Sequence, residues 1–130
     1  MSPRKTKRGN FLRAVSRLEA AVQDYQQYNM ESIRDGMIQR FEFSFELAWK
    51  SLKEYMAEQG VADLQFPKQV LQEAYAAGLI DHEEIWLEML RARNSMSHIY
   101  DDMLAAQIAD RIQHTFLPAL QALAHRYETL

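Results

Sequence analysis

Met37-Ile38-Gln-Arg-Phe41-Glu-Phe43-Ser-Phe45-Glu46-Leu47-Ala48-Trp49-Lys50-Ser-Leu52 sets large apolar side chains at intervals of three and four. At 100° per residue, Met37, Ile38, Phe41, Phe45, Ala48, Trp49 and Leu52 fall along one face of an α-helix, and Tyr55 and Met56 prolong the stripe. Ser32 with Asp35 is a capping-box-like start for this helix, and Gly60 suits its end. Phe43 departs from the pattern. It lies about 200° round from Phe41, and Leu47 continues that second face one turn on. Two apolar groups opposite the main stripe need a cover. It comes either from the chain's own first or last helix or from an interface with a second copy or another protein.

Working outward, Phe11, Val15, Leu18, Val22 and Tyr25 predict an amphipathic helix over residues 10–29. After a loop at 61–66, Pro67 is placed as the first residue of a short helix carrying Val70, Leu71, Ala74 and Tyr75, which Gly78 ends. Asp81 with Glu84 opens a fourth, along Ile85, Trp86, Met89 and Leu90. A last helix begins near Asp101 or Asp102 and runs through Leu104, Ile108, Ile112, Phe116, Leu120 and Leu123, with Pro118 expected to kink it. The fold class is all-α, a four- to five-helix up-and-down bundle forming a single domain over residues 10–130. Residues 1–9 are expected to be a basic, flexible tail.

The 130 residues include no cysteine, which excludes disulfides, thiolate metal sites and a Cys nucleophile. No apolar run reaches the roughly 20 residues of a membrane span, and no apolar segment follows the basic N-terminus, so a cytoplasmic protein is expected. The net charge of −3 is unevenly spread. Arg4, Lys5, Lys7, Arg8, Arg13 and Arg17 all precede the first acid, Glu19, leaving nine basic against 18 acidic groups in residues 18–130. A basic tip on an acidic body is either a contact for RNA or an acidic partner, or a solvated terminus.

The chemistry is concentrated in Arg91-Ala-Arg93-Asn94-Ser-Met-Ser-His98-Ile-Tyr100-Asp101. On the fourth helix Arg93 projects into the middle of the apolar stripe, where a guanidinium, unable to lose its proton, needs anions or acceptors. It is either a structural arginine paired with a carboxylate or helix-end carbonyls, or an anion site for a phosphate. His98, about 140° away on a continuous helix, shares its face only if the helix ends or bends between them. Asp101 and Asp102 read as the next helix cap, so the segment is expected at a helix-to-helix corner. His82 with Glu83 and Glu84 reads as a helix first turn rather than a metal site, and no ligand set for a metal is found.

Arg93-Asn94-x3-His98-x-Tyr100 resembles the Arg-x4-His-x-Tyr signature of the HEPN superfamily. Phe41-Glu42-Phe43 through Glu46, Trp49 and Lys50 is similar to the second helix of its nucleotidyltransferase substrate-binding branch. The Arg-Asp-Gly at 34–36 and the proline in the last helix extend the likeness from about residue 10 onward. The resemblance implies a homodimer or higher homo-oligomer bringing two signatures to one cleft. It also implies a metal-independent endoribonuclease without cofactor, toxin of a toxin–antitoxin pair with a small nucleotidyltransferase encoded nearby. In HepT-like toxins of this kind the partner transfers AMP to the signature tyrosine. Carried over, Arg93 stabilises charge on the phosphorane, Asn94 positions the phosphate or the histidine, His98 transfers protons, and Tyr100 is the AMP acceptor. Glu46 and Lys50, at i,i+4, form a surface salt bridge or, with Phe43, belong to a cleft or interface. Two other readings stand beside the ribonuclease: a non-catalytic substrate-binding subunit of a two-component nucleotidyltransferase, and a bundle using the motif for stability.

Overall fold

The computed structural model describes residues 3–98 and 100–130, with side chains from Lys7 onward. The side chains of Arg4 and Lys5, part of the basic segment, therefore lie outside the described residues. The described chain is helical throughout: α1 (Pro3–Tyr28), α2 (Glu31–Glu58), α3 (Pro67–Ala76), α4 (Glu83–Asn94), then α5 (Asp102–Arg111) and α6 (Leu117–Thr129), which a π-helical turn, Ile112–Phe116, joins into one last helix. This is the five-helix, all-α architecture expected. None of the helices is long and apolar enough to cross a membrane.

The helix ends show what local chemistry decides. Gly60 and Gly78 both adopt positive φ just after a helix. Each is followed by a residue whose N–H reaches back into the last turn, Val61 to Met56 O and Leu79 to Ala74 O, which closes a Schellman motif. Pro67 opens α3 as expected, with Gln69 Oε1 accepting the Phe66 N–H. Three boundaries differ from the sequence reading. α1 begins at Pro3, before residue 10, and its Lys7 and Arg8 pair with Glu54 and Glu58 of α2. α2 starts without the Ser32–Asp35 box: its N-cap is Met30, with no side-chain cap. A two-residue turn through Asn29 (φ +48°) sets that start, because asparagine tolerates the left-handed region. At α4 the N-cap is His82, also left-handed, rather than Asp81.

α2 is the spine, packed against α1, α3, α4, α5 and α6. Its stripe is buried from Met37 to Met56, and Phe41 stacks on Phe116 at 5.1 Å between ring centroids. Phe11, Leu18, Leu71, Trp86 and Met89 complete the centre. Tyr127 is buried edge-on to Phe11, and its hydroxyl shares a 2.7 Å hydrogen bond with Ser51. Burial pushes that phenol well above its ordinary range, so it stays neutral.

The π turn answers both the proline and the stripe. Ile108, Ile112, Phe116 and Leu120 step by fours, overshooting a 3.6-residue turn by about 40° each time, or about 120° in all. A turn in which Leu117 N–H bonds to Ile112 O, five residues back, takes up about one extra residue and keeps all four side chains inward. It also carries the chain into Pro118, which has no N–H to offer.

α4 is tied to α5 by Glu88, which accepts from Arg111 Nε and Nη2 at 2.6 Å each. These hydrogen bonds, outweighing burial, hold the Glu88 carboxyl below its ordinary value of 4.5. A depressed carboxylate stabilises the fold above its unfolded pKa, and that contribution is lost as pH falls through the folded value. Glu88→Gln should therefore lower stability at pH 7 by no more than about 1 kcal/mol, both partners being partly exposed. The difference from wild type should vanish in urea melts at acid pH. Phe41→Ala should cost about 3–5 kcal/mol, whereas Phe43→Ala, two residues on, should change urea-melt stability by about 0.5 kcal/mol or less.

Candidate functional site

α4 ends at Asn94, a short 3-10 turn spans Met96–His98, and α5 starts after Asp101, whose carboxylate accepts the N–H groups of Met103 and Leu104. The signature thus occupies the helix-to-helix corner expected of it. None of the described residues from Asn94 to Asp101 is fully buried, though Met96 packs partly buried against the core. Two ion pairs to α2 hold the corner at its ends. On one side, Arg93 Nε lies 2.5 Å from Glu46 Oε1, an ion contact rather than an aligned hydrogen bond. On the other, Arg34 Nη2 pairs with Asp102 at 3.2 Å and with Asp35 at 3.1 Å. Burial works against the Arg34 charge, but its hydrogen bonds to Asp102 and Asp35 outweigh this and raise its pKa.

Arg93 is half-buried, not sunk in the apolar stripe: its side chain is 31% exposed. The α4 helix ends one residue later, and the long aliphatic stem lets the guanidinium reach the surface of α2. Nη1 also donates to Asn94 Oδ1 at 3.2 Å, which leaves donors of the planar fork for another acceptor. Glu46 is a shared anchor. Its Oε2 accepts from Trp49 Nε1 at 3.1 Å and lies 3.9 Å from Lys50 Nζ, and Lys50 also sits over the Trp49 ring. The Glu46–Lys50 pair foreseen as a surface salt bridge is thus present, but the stronger partner of Glu46 is Arg93.

His98 and Tyr100 are both exposed and meet edge-on, ring centroids 6.3 Å apart. Among the described residues no hydrogen bond or ion pair links this pair to the Arg93 group, although the corner presents both from one short segment. Leu47 is half-buried against the core, whereas Phe43, one turn before Glu46, is 62% exposed. The chain's own packing therefore covers Leu47 of the two off-stripe residues and leaves Phe43 open. The sequence reading named Arg34 only within the Arg-Asp-Gly of the family likeness and gave it no role. The signal was there, since Arg34 precedes Met37, Ile38 and Phe41 by three, four and seven residues and so belongs to their stripe.

A cavity of about 490 Å³ lies at the other end of α4, between Leu79, Trp86, His114, Pro118 and Arg126. A smaller depression of about 310 Å³ adjoins the corner through Met96 and includes Gln39 and Glu42; another, of about 350 Å³, shares Gln39 with it and is lined by Arg17, Arg40 and Phe43.

Comparison with known proteins agrees with this architecture. A protein named probable ribonuclease HepT, from Haemophilus influenzae (strain ATCC 51907 / DSM 11121 / KW20 / Rd), is 35% identical over 91 residues, covering 63% of this chain and 62% of its own length. The chain thus matches less than two thirds of that relative. Among solved structures, HI0074 from Haemophilus influenzae, described as the fold of a substrate binding domain of a nucleotidyltransferase, superposes with a TM-score of 0.80 at 26% identity, over 93% of this chain and 98% of that one. A Thermus thermophilus protein, ttk003001694, superposes with a TM-score of 0.65 at 28% identity, over 86% and 96% of the two chains. The sequence pattern of the family described as nucleotidyltransferase substrate binding protein like matches residues 7–129. With nearly its whole length inside that pattern, the chain belongs to the nucleotidyltransferase substrate-binding-protein-like family.

Proposed function

We propose that the chain is a metal-independent endoribonuclease, the toxin of a HEPN-type toxin–antitoxin pair whose partner is a small nucleotidyltransferase. The observation that carries this reading is the corner itself. One short exposed segment offers a guanidinium with free donors, an amide, an imidazole and a phenol, and ion pairs to the central helix fix its two ends. The similarity to a protein named probable ribonuclease HepT supports it.

RNA carries its own nucleophile. The 2′-hydroxyl attacks the adjacent phosphorus, the bond to the 5′ oxygen breaks, and the hydroxyl proton ends on that oxygen, leaving a 2′,3′-cyclic phosphate and a 5′-hydroxyl. The protein then has to move one proton and stabilise extra charge on the phosphorane. His98 takes or returns the proton, an imidazole being suited to both near neutral pH. Arg93 meets the phosphorane charge, Asn94 orients Arg93 or the phosphate, and Glu46 fixes the direction of the guanidinium. A homodimer places two such corners on one cleft, so that one His98 serves as base and the other as acid. Tyr100, 80% exposed, is accessible to a partner enzyme. Its oxygen attacks the α-phosphorus of ATP, pyrophosphate leaves, and the bulky anion left beside His98 blocks the site.

One observation favours the reading in which the motif serves stability: Glu46 gives Arg93 the carboxylate a purely structural arginine would need. The test is RNA cleavage in EDTA by purified protein. Wild type should leave 2′,3′-cyclic phosphate ends, and His98→Ala and Arg93→Ala should each lose about 10²–10⁴-fold in rate with helicity intact by circular dichroism. Loss of helicity in Arg93→Ala would assign that residue to the fold. Absence of cleavage by folded protein, Tyr100 shown unmodified by mass spectrometry, would favour the accessory subunit. Tyr100→Phe should cleave like wild type and no longer gain the mass of AMP from the partner and ATP.

A further inference from the structure

We propose that Phe43, flanked by Arg17 and Arg40, is a stacking subsite for an unpaired base of single-stranded RNA next to the cleavage corner. The choice of RNA rests on the ribonuclease reading above. The site rests on how charge and apolar surface are distributed here.

The basic residues described on the first helix are not met alike, and Arg13 donates to Asn10 Oδ1. Lys7 and Arg8 are met by Glu54 and Glu58. Further along, Arg17 has no carboxylate partner among the described residues, and neither does Arg40, whose Nη1 donates to the Arg17 carbonyl at 2.8 Å. On a body that is otherwise acidic, both arginines line one depression of about 350 Å³, and Phe43, the one exposed large apolar side chain described on α2, lines it with them. A guanidinium pair answers phosphates and an open ring answers a base, the combination by which single strands are held without sequence reading.

Position connects this subsite to the corner. Gln39 lines both the Phe43 depression and its neighbour, which reaches Met96 inside the signature. Phe43 also precedes Glu46, the anchor of Arg93, by one turn of α2. The carboxylates of Asp35 and Glu42 line the neighbouring depression and repel a phosphate there, steering the backbone toward the arginine side. A protein occupant fits less well. The apolar neighbours of Phe43 on α2 are already packed inward.

The test is binding of a short, unstructured, fluorescein-labelled RNA to His98→Ala protein, followed by anisotropy over a series of salt concentrations. Phe43→Leu in that background should weaken binding by about 5- to 150-fold, and Phe43→Tyr should retain it. Arg17→Gln and Arg40→Gln should each reduce the slope of log K against log salt by about 0.7. A fully paired hairpin should compete poorly, because its bases are not free to stack. Equal binding by Phe43→Leu overturns the subsite. So does a fall in sedimenting mass on that substitution, which would assign Phe43 to a protein interface. Cleavage by otherwise wild-type Phe43→Leu with unchanged KM would remove the subsite and leave the ribonuclease standing. Phe43-dependent binding without cleavage by wild-type protein would do the reverse.

Discussion

Arg34 and Arg93 carry charges they cannot shed, and each is answered by a carboxylate across a helix boundary: Arg34 on α2 by Asp102 at the start of α5, Arg93 at the end of α4 by Glu46 on α2. Between the end of α4 and the start of α5 no described side chain is fully buried, and the partly buried Met96 packs against the core. The two ion pairs fix the ends of the segment, both anchored on the most heavily packed helix. Breaking a partly buried pair by removing one partner strands the other charge, which makes such pairs good devices for fixing geometry even where they add little net stability. The fold thereby keeps a polar, solvated corner at a definite place on an otherwise apolar bundle.

The same economy governs the surface. The acids of α2 are not spread evenly opposite the bases of α1. Glu54 and Glu58 neutralise Lys7 and Arg8 near the far end of α2, while among the described residues nothing acidic meets Arg17 or Arg40. A net charge of −3 therefore says little about the local balance at any one place: Arg17 and Arg40 stand without carboxylate partners among the described residues on an otherwise acidic protein.

Apolar periodicity made the bundle legible. The stripes of the first, second and last helices are the buried core with few exceptions, because a 3.6-residue period reports burial directly. The glycine stops and Pro67 were legible for a similar reason, each residue being restricted to, or uniquely free in, one backbone region. The start of α2 was not. A two-residue turn at Asn29 fixes it through chain geometry, and the suggestive Ser32–Asp35 spacing falls inside the helix, where Asp35 serves Arg34 instead. Of the site residues, Arg93 was legible as an arginine needing an anion but not as one needing Glu46. That pairing joins helices that are distant in the chain, and no local pattern encodes it. Phe43 was legible as a residue off the stripe, and the bundle left it open where it covered Leu47.

The π turn at Ile112–Phe116 sets the rotational phase of the last helix in two independent halves. Residues before it face α2, the turn itself packs on α4, and residues after it face α1 and α2. Removing one residue from within this turn would take out the extra residue it absorbs and leave an uninterrupted α-helix with Leu120, Leu123 and Tyr127 still facing the core. A one-codon deletion within α5 or α6, the turn kept, would instead swing everything beyond it by about 100° and act like a frameshift in packing. The π turn is thus a place where the last helix can change its length by one residue and keep its faces.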